Sequence, residues 1–186
     1  MISTSVSLLE RLRQDEQAAW SRFVQLYTPL LYAWARRLGL NDHDAADLVQ
    51  EVFAHLVTAL PEFRYDKDRR FRGWLWTVAL NVYRTGRRRR MAATGSLTQL
   101  VDEPAVPDPV EVIDEAEYRD YLVGRALKLV QGEFEPRTWQ AFCDCFTADE
   151  KAAVVGARLG LSADAVYAAK SRVLRRLREE LQGLLD

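Results

Sequence analysis

Apolar residues recur every three or four positions along most of the chain, and this spacing constrains the fold more than any other feature. Such a period places apolar side chains on one side of a helix. No segment alternates apolar and polar residues for long enough to form a half-buried strand. We therefore predict an all-α fold, with N-terminal helices over about residues 15–38, 44–61 and 71–86. Pro29 is expected to kink or split the first of them.

Residues 93–111 differ in composition from the helical segments on either side of them. They contain three prolines, several acids and many small or polar residues, a mixture typical of a flexible linker. A chain of 186 residues is long enough for two small domains. We therefore expect an N-terminal helical bundle over residues 1–92 and a four-helix C-terminal domain over residues 112–186.

Charge is segregated along the chain, although the formal net charge is only −1. Residues 69–90 contain eight arginines and no acid, and residues 170–178 contain five basic residues and no acid. Residues 102–120 are strongly acidic. DNA binding depends on local patches of one sign more than on net charge. The two basic segments therefore predict two DNA-binding faces.

The most specific local pattern lies in the C-terminal domain. Thr147 and Glu150 match a T-x-x-E capping box that would open a helix. Gly160 begins a tight turn, and Ser162 can cap the helix that follows. Gly156 leaves room for the two helices to cross closely. Together these residues predict a helix-turn-helix whose second helix reads DNA, although a solvated amphipathic helix with internal ion pairs would also explain its charges.

The third predicted helix of the N-terminal domain mixes aromatic, amide and cationic side chains. Asn81 and Arg84 suit unstacked bases and phosphates, since amides bond base edges and arginines hold phosphate. Trp74 is expected to pack in the core, whereas Trp76 could pack there or stack on a base. The run from Arg87 to Arg90 suits either phosphate contacts or a solvated junction.

Three segments resemble conserved regions of bacterial sigma factors. Asp44–Phe53 (DAADLVQEVF) is similar to the second region, and Phe71–Asn81 (FRGWLWTVALN) resembles the helix that follows it. Leu159–Leu181 is similar to the fourth, DNA-reading region. Their order, with a linker in place of the third region, is the layout of extracytoplasmic-function (ECF) sigma factors of the sigma-70 superfamily. The resemblance implies a protein that binds core RNA polymerase, recognises promoter DNA and promotes transcription initiation.

The resemblance also implies roles for particular residues. Those that would dock on the clamp helices of the largest polymerase subunit are Asp47, Gln50 and Glu51. Those that would bind the minus-ten element, as melted DNA, are Arg72, Trp76, Asn81, Arg84, Arg87 and Arg88. Those that would bind the duplex minus-thirty-five element are Asp164, Tyr167, Lys170, Ser171, Arg172 and Arg175. An anti-sigma factor is a further candidate partner. The chain departs from the family at Leu80, usually arginine, at Gly156, usually alanine, and at Tyr167 and Ala168.

Other classes of function lack a matching pattern. Cys143 and Cys145 have no histidine near them, so we expect reduced thiols, no metal and no cofactor. The sequence shows no recognisable set of catalytic residues, so we do not expect an enzyme. No apolar stretch reaches the roughly 20 residues of a membrane span, and residues 1–9 do not resemble a secretory signal. A cytoplasmic protein without membrane insertion is expected.

The main alternative is a transcriptional regulator that uses the helix-turn-helix without being a polymerase subunit. Such a protein would bind an operator by itself, usually as a dimer on a palindrome. The segments at residues 44–53 and 71–81 argue against this alternative, because a simple regulator has no need of them.

Overall fold

The computed structural model describes residues 7–63, 71–93, 115–146 and 148–185, and these residues are helical with short connections. The helices are α1 (Leu8–Arg13), α2 (Gln17–Arg37), α3 (Asp42–Ala59), α4 (Phe71–Ala93), α5 (Glu115–Val130), α6 (Pro136–Phe146), α7 (Ala152–Leu159) and α8 (Ala163–Leu181). Short 3₁₀ turns follow α3 at Leu60–Glu62 and α5 at Gln131–Glu133. Within the described ranges there is no β-strand, and the predicted all-α fold is confirmed.

The contacts group the chain into two units. Among the described residues, the N-terminal unit comprises residues 9–63, 71–93, 115–119 and 183–185, and the C-terminal unit comprises residues 7–8, 120–146 and 148–182. The predicted linker, residues 93–111, lies outside the described residues apart from Ala93 at the end of α4. No single helix of the described chain is both long enough and apolar enough to cross a membrane.

An aromatic cluster forms the core of the N-terminal unit. Phe23 and Tyr27 of α2 lie against Phe71 of α4, with ring centroids 6.1 and 5.8 Å from the Phe71 ring. Trp34 of α2 packs edge-on against Trp76 of α4 at 4.8 Å. Edge-to-face pairs of this kind add to the stabilisation that burial provides. The cluster therefore holds α2 and α4 together, with α3 packed against both.

The bounds of two N-terminal helices differ from those predicted. Helix α2 continues through Pro29 and is not split there. Helix α4 continues to Ala93, so the prediction that it ends at Gly86 is wrong. Arginine is a good helix former, and no proline or second glycine follows Gly86 before Gly95. The basic run is therefore part of a helix. Helix α3 is capped by Asn41, whose side chain accepts a hydrogen bond from the Asp44 amide at 2.9 Å.

The start of α7 corrects another expectation. Thr147 lies outside the described residues, and Glu150 does not cap α7, which begins at Ala152 after Lys151. Asp149 has a left-handed backbone with φ +53°, so the chain is still turning where the capping box predicts the first helical turn. The Glu150 carboxylate instead pairs with Arg158 at 2.8 Å.

The helix-turn-helix itself is confirmed. Helices α7 and α8 are bent by 103° relative to each other, within the roughly 90–120° of this motif. Gly160 closes α7 in the left-handed conformation at φ +67°, and the Ser162 hydroxyl accepts a hydrogen bond from the Ala165 amide at 3.1 Å. The Leu161 amide donates to the Gly156 carbonyl at 2.9 Å. A Cβ on Gly156 would lie only 2.6 Å from the Leu161 carbonyl oxygen, so only glycine fits this crossing without a shift.

We predict that Gly156→Ala lowers the free energy of unfolding by about 1–3 kcal/mol, because the added methyl group meets backbone and not a movable side chain. Chemical denaturation of the full chain, followed by circular dichroism, measures this change. Gly124→Ala is the matched control. Gly124 lies within α5 with no atom within 4 Å of its added Cβ, so this change should stabilise the protein by about 0.5–1 kcal/mol. Equal effects of the two substitutions would contradict the crossing described above.

Candidate functional site

One side of α8 carries most of the residues expected to read duplex DNA. The opposite side is apolar and buried, through Val166, Ala169, Val173 and Leu177. Positions 164, 167, 171 and 175 are spaced by three or four residues, so they follow one line along the helix. The Tyr167 side chain is 61% exposed. The predicted residues on this exposed side are Asp164, Tyr167, Ser171, Arg172 and Arg175.

Lys170 is separate from this exposed line. Its side chain is half-buried, and its ammonium lies over the Phe146 ring of α6, 5.8 Å from the ring centroid. Such cation–π contacts are favourable. The structure therefore groups five of the six residues predicted for the minus-thirty-five element, and it holds the sixth against α6.

Arg176 also has a different environment from its neighbour Arg175. Its guanidinium bonds both carboxylate oxygens of Glu133, at 2.6 and 3.0 Å, and Glu180 at 2.8 Å. Burial by itself would lower the pKa of Arg176, but the hydrogen bond with Glu133 and the charges of Glu180 and Glu133 raise it. Arg176 is therefore held as a cation inside the domain. The ion pair with Glu180 is one that the amphipathic-helix interpretation predicts.

Helix α4 presents a second candidate surface. Asn81 is exposed, and Thr77, Asn81, Arg84 and Arg88 follow one side of the helix at intervals of three and four. Arg72 is not part of this line. Its guanidinium lies over the Tyr118 ring, 5.6 Å from the centroid, at the start of α5. The predicted minus-ten residues that share the line are therefore Asn81, Arg84 and Arg88, while Arg87 lies to one side.

Trp76 requires a correction. Its side chain is 1% exposed and packs against Trp34 in the core, so its ring is not available to stack on a base. The helical position of Trp76 falls outside the main apolar line, but α2 supplies an aromatic partner for it. Trp74, predicted to be a core residue, is half-buried and packs 4.5 Å from the Phe63 ring.

The residues expected to contact the polymerase lie on the outer side of α3. Asp47, Gln50 and Glu51 are exposed there, and Leu48 and Val49 face the core. Asp47 pairs with His43, with 3.1 Å between Oδ2 and Nδ1. The carboxylates make this side acidic, as the sequence indicates.

A groove of about 530 Å³ connects the candidate surfaces of α3 and α4. Glu51 lines it from α3, and Asn81 and Arg89 line it from α4. His55 and Thr58 also border the groove, although no specific role was predicted for either. The spacing of four residues from Glu51 to His55 is the signal that could have found His55, because it places both side chains on one side of α3.

The remaining candidate ligands have simple explanations. Potential ligand atoms of His43, Asp44 and Asp47 lie within 4.8 Å of one another, but His43 and Asp47 are exposed groups near a helix start, and Asp44 also pairs with Arg90 at 3.3 Å. Both cysteines are free thiols. Burial, with the charge of Asp144, raises the pKa of Cys143, which keeps this thiol protonated and less reactive.

Comparisons with known proteins point to one family. Residues 23–92 match the model of sigma-70 region 2. The chain is 36% identical over 88 residues to the RNA polymerase sigma factor NccH of Alcaligenes xylosoxydans xylosoxydans. This match covers 47% of the chain and 46% of NccH. It is 27% identical over 173 residues to the ECF RNA polymerase sigma factor SigE of Mycolicibacterium smegmatis. This second match covers 90% of the chain and 63% of SigE. The chain thus spans less than two thirds of the length of these two relatives.

A solved structure was also matched. It contains CnrH in complex with the cytosolic domain of CnrY. The sequence identity is 25%, the alignment covers 91% of this chain and 92% of the matched chain, and the TM-score is 0.38.

We predict that Trp76→Ala lowers the free energy of unfolding of the N-terminal unit by about 3–5 kcal/mol, the usual cost of removing a buried tryptophan. Denaturant unfolding of the full chain measures the change. Arg88→Ala, at an exposed position on the same helix, should change stability by no more than about 0.5 kcal/mol. If Trp76→Ala were equally silent, the burial of its ring would be refuted.

Proposed function

We propose that the chain is an RNA polymerase sigma factor of the ECF group of the sigma-70 family, on the strength of its similarity to sigma-70 region 2, NccH and SigE, and that it binds core RNA polymerase, recognises promoter DNA and promotes transcription initiation. The observation that carries this proposal is the occurrence, in one chain, of a region 2 match over residues 23–92 and a helix-turn-helix over residues 152–181. A simple regulator needs only the second of these. The cytoplasm, where core polymerase acts, is the location that the proposal implies.

The acidic side of α3 supports the proposed contact with polymerase. Asp47, Gln50 and Glu51 are exposed on a helix that the core holds rigidly from its other side. Carboxylates on such a surface complement a cationic partner. We assign these three residues to the clamp helices of the largest subunit.

The two DNA surfaces suit different forms of promoter DNA. Helix α8 belongs to a helix-turn-helix, which reads duplex DNA in the major groove, so we assign its exposed side to the minus-thirty-five element. Helix α4 offers an amide and cations beside a groove, a combination suited to single-stranded DNA. We assign Asn81, Arg84 and Arg88, with Arg72 and Arg87 as flanking cations, to the minus-ten element. An anti-sigma factor is the further partner that family membership implies.

The first test of the proposal is transcription in vitro. The purified chain, added to core polymerase from its own organism, should direct specific initiation from a subset of fragments in a genomic library. Core polymerase alone and the chain alone are the controls. If no fragment supports specific initiation, the proposal fails. Tight binding to a palindromic fragment by the chain alone, as a dimer, would favour the regulator alternative.

The second test concerns α3. We predict that Glu51→Lys weakens binding to core polymerase at least tenfold, since a reversed charge both removes an attraction and adds a repulsion worth more than about 1.4 kcal/mol. Titration of labelled protein with core polymerase measures the affinity. Glu62→Lys is the matched control, because Glu62 is an exposed acid of the same unit that lies outside α3. Equal losses for both variants would indicate a general charge effect and would remove Glu51 from the interface.

A further inference from the structure

Arg175 and Arg176 are neighbours in a basic run, yet the structure gives them opposite surroundings. Arg175 is exposed on the line of α8 assigned to duplex DNA. Arg176 turns towards the body of the domain, where Nε and both terminal nitrogens of its guanidinium are engaged by carboxylates. Each guanidinium nitrogen of Arg176 therefore already has a partner within the domain.

We propose that Arg176 is a positioning residue, which together with Glu133 and Glu180 fixes the orientation of α8 and so determines how sharply this helix discriminates between base sequences. The proposal rests on the proposed function, because it presumes that the exposed side of α8 reads duplex DNA.

The geometry of the cluster is suited to holding a helix in one orientation. Glu133 belongs to the 3₁₀ turn that precedes α6, so its two hydrogen bonds connect α8 to a different segment of the C-terminal unit. A paired, fork-like contact fixes direction as well as distance. Glu180 lies one turn further along α8 and adds a third bond to the same guanidinium. The cluster thus joins two turns of α8 to the turn before α6.

The burial of Glu180 makes the cluster depend on Arg176. Glu180 is 1% exposed, and it is the one charged residue among the buried positions of the described chain. A buried carboxylate requires cationic partners, and loss of one of them leaves its charge less well compensated. Lysine cannot replace arginine here, because an ammonium cannot form the paired contact with Glu133.

Orientation of α8 matters because the reading residues lie far from the cluster along the same helix. Asp164 precedes Arg176 by twelve residues, or about 18 Å at the usual helical rise. Base-reading side chains must be held within about 0.5 Å and 10–20° of their productive geometry. A small rotation or tilt of α8 would therefore misplace Asp164 and Tyr167 at the base edges, while exposed cations could still reach phosphates.

The test uses the full chain bound to core polymerase and a randomised DNA duplex library, from which the wild-type complex enriches its preferred sequence. Affinity is then measured for the enriched duplex and for duplexes with single base-pair substitutions, over a range of salt concentrations. The variants are Arg176→Gln, Arg176→Lys, Glu133→Gln and, as the matched neighbour, Arg175→Gln. Thermal unfolding of each variant is measured alongside.

We expect Arg176→Gln, Arg176→Lys and Glu133→Gln to reduce discrimination by about five- to tenfold, near the lower end of what one mismatched base pair costs, and to leave the salt dependence unchanged. Arg175→Gln should do the reverse, lowering the slope of log affinity against log salt by about 0.9, as loss of one phosphate contact does, while discrimination is retained. If the Arg176 variants fail to fold, Glu133→Gln still tests the positioning role, because it keeps the Arg176–Glu180 ion pair.

Two results would overturn the proposal. One is that Glu133→Gln leaves discrimination between duplexes unchanged. This includes the case in which the variant gains affinity equally for all duplexes, as removal of an acid near DNA would cause by electrostatics alone. The other is a reduced salt slope for Arg176→Gln, which would identify Arg176 as a phosphate contact. If the wild-type complex enriched no sequence, the proposed function of α8 would fail first and the positioning role with it.

Discussion

The close backbone contact between Gly156 and Leu161 is the constraint on which the placement of α8, and so of its exposed side, depends. The Leu161 amide bonds the Gly156 carbonyl at 2.9 Å, and the Leu161 carbonyl oxygen occupies the space that a Cβ on residue 156 would need. This approach sets where α8 begins relative to α7. Ser162 then starts α8 with a capped first turn. The direction of the exposed line from Asp164 to Arg175 therefore depends on the absence of one methyl group.

Helix α4 connects the core of the N-terminal unit to its candidate binding surface. Its first turns bury Phe71 and Trp76, and its later turns expose Asn81 and the arginines from Arg88 to Arg90. Because the basic run is helical, these cations have fixed spacing relative to α3. Asp44 of α3 already pairs with Arg90 at 3.3 Å, although an exposed pair of this kind is worth only about 0.2–1 kcal/mol. The acidic side of α3 and the arginines of α4 are thus parts of one unit.

Periodicity and capping residues predicted the helices, the turn at Gly160 and the cap at Ser162, because these features depend on residues close together in sequence. Two of the errors arose where a distant partner or an unusual backbone angle determines the structure. Trp76 is buried because Trp34 of α2 lies opposite it, which no local pattern reveals. The first turn of α7 is delayed by the positive φ of Asp149, a conformation that its residue type permits but does not require.

The surroundings of the cations in α8 also depend on distant contacts that the sequence does not reveal. The segment from residue 170 to 178 contains five cations, and the sequence offers no means of ranking them. In the structure, Lys170 lies over Phe146 and Arg176 is bound by carboxylates, one of them forty-three residues earlier in the chain. Arg172, Arg175 and Arg178 remain exposed. Since counterion release scales with the cations that reach phosphates, the proposed function implies that α8 contributes three cations to DNA affinity, while the other two are held by contacts within the unit.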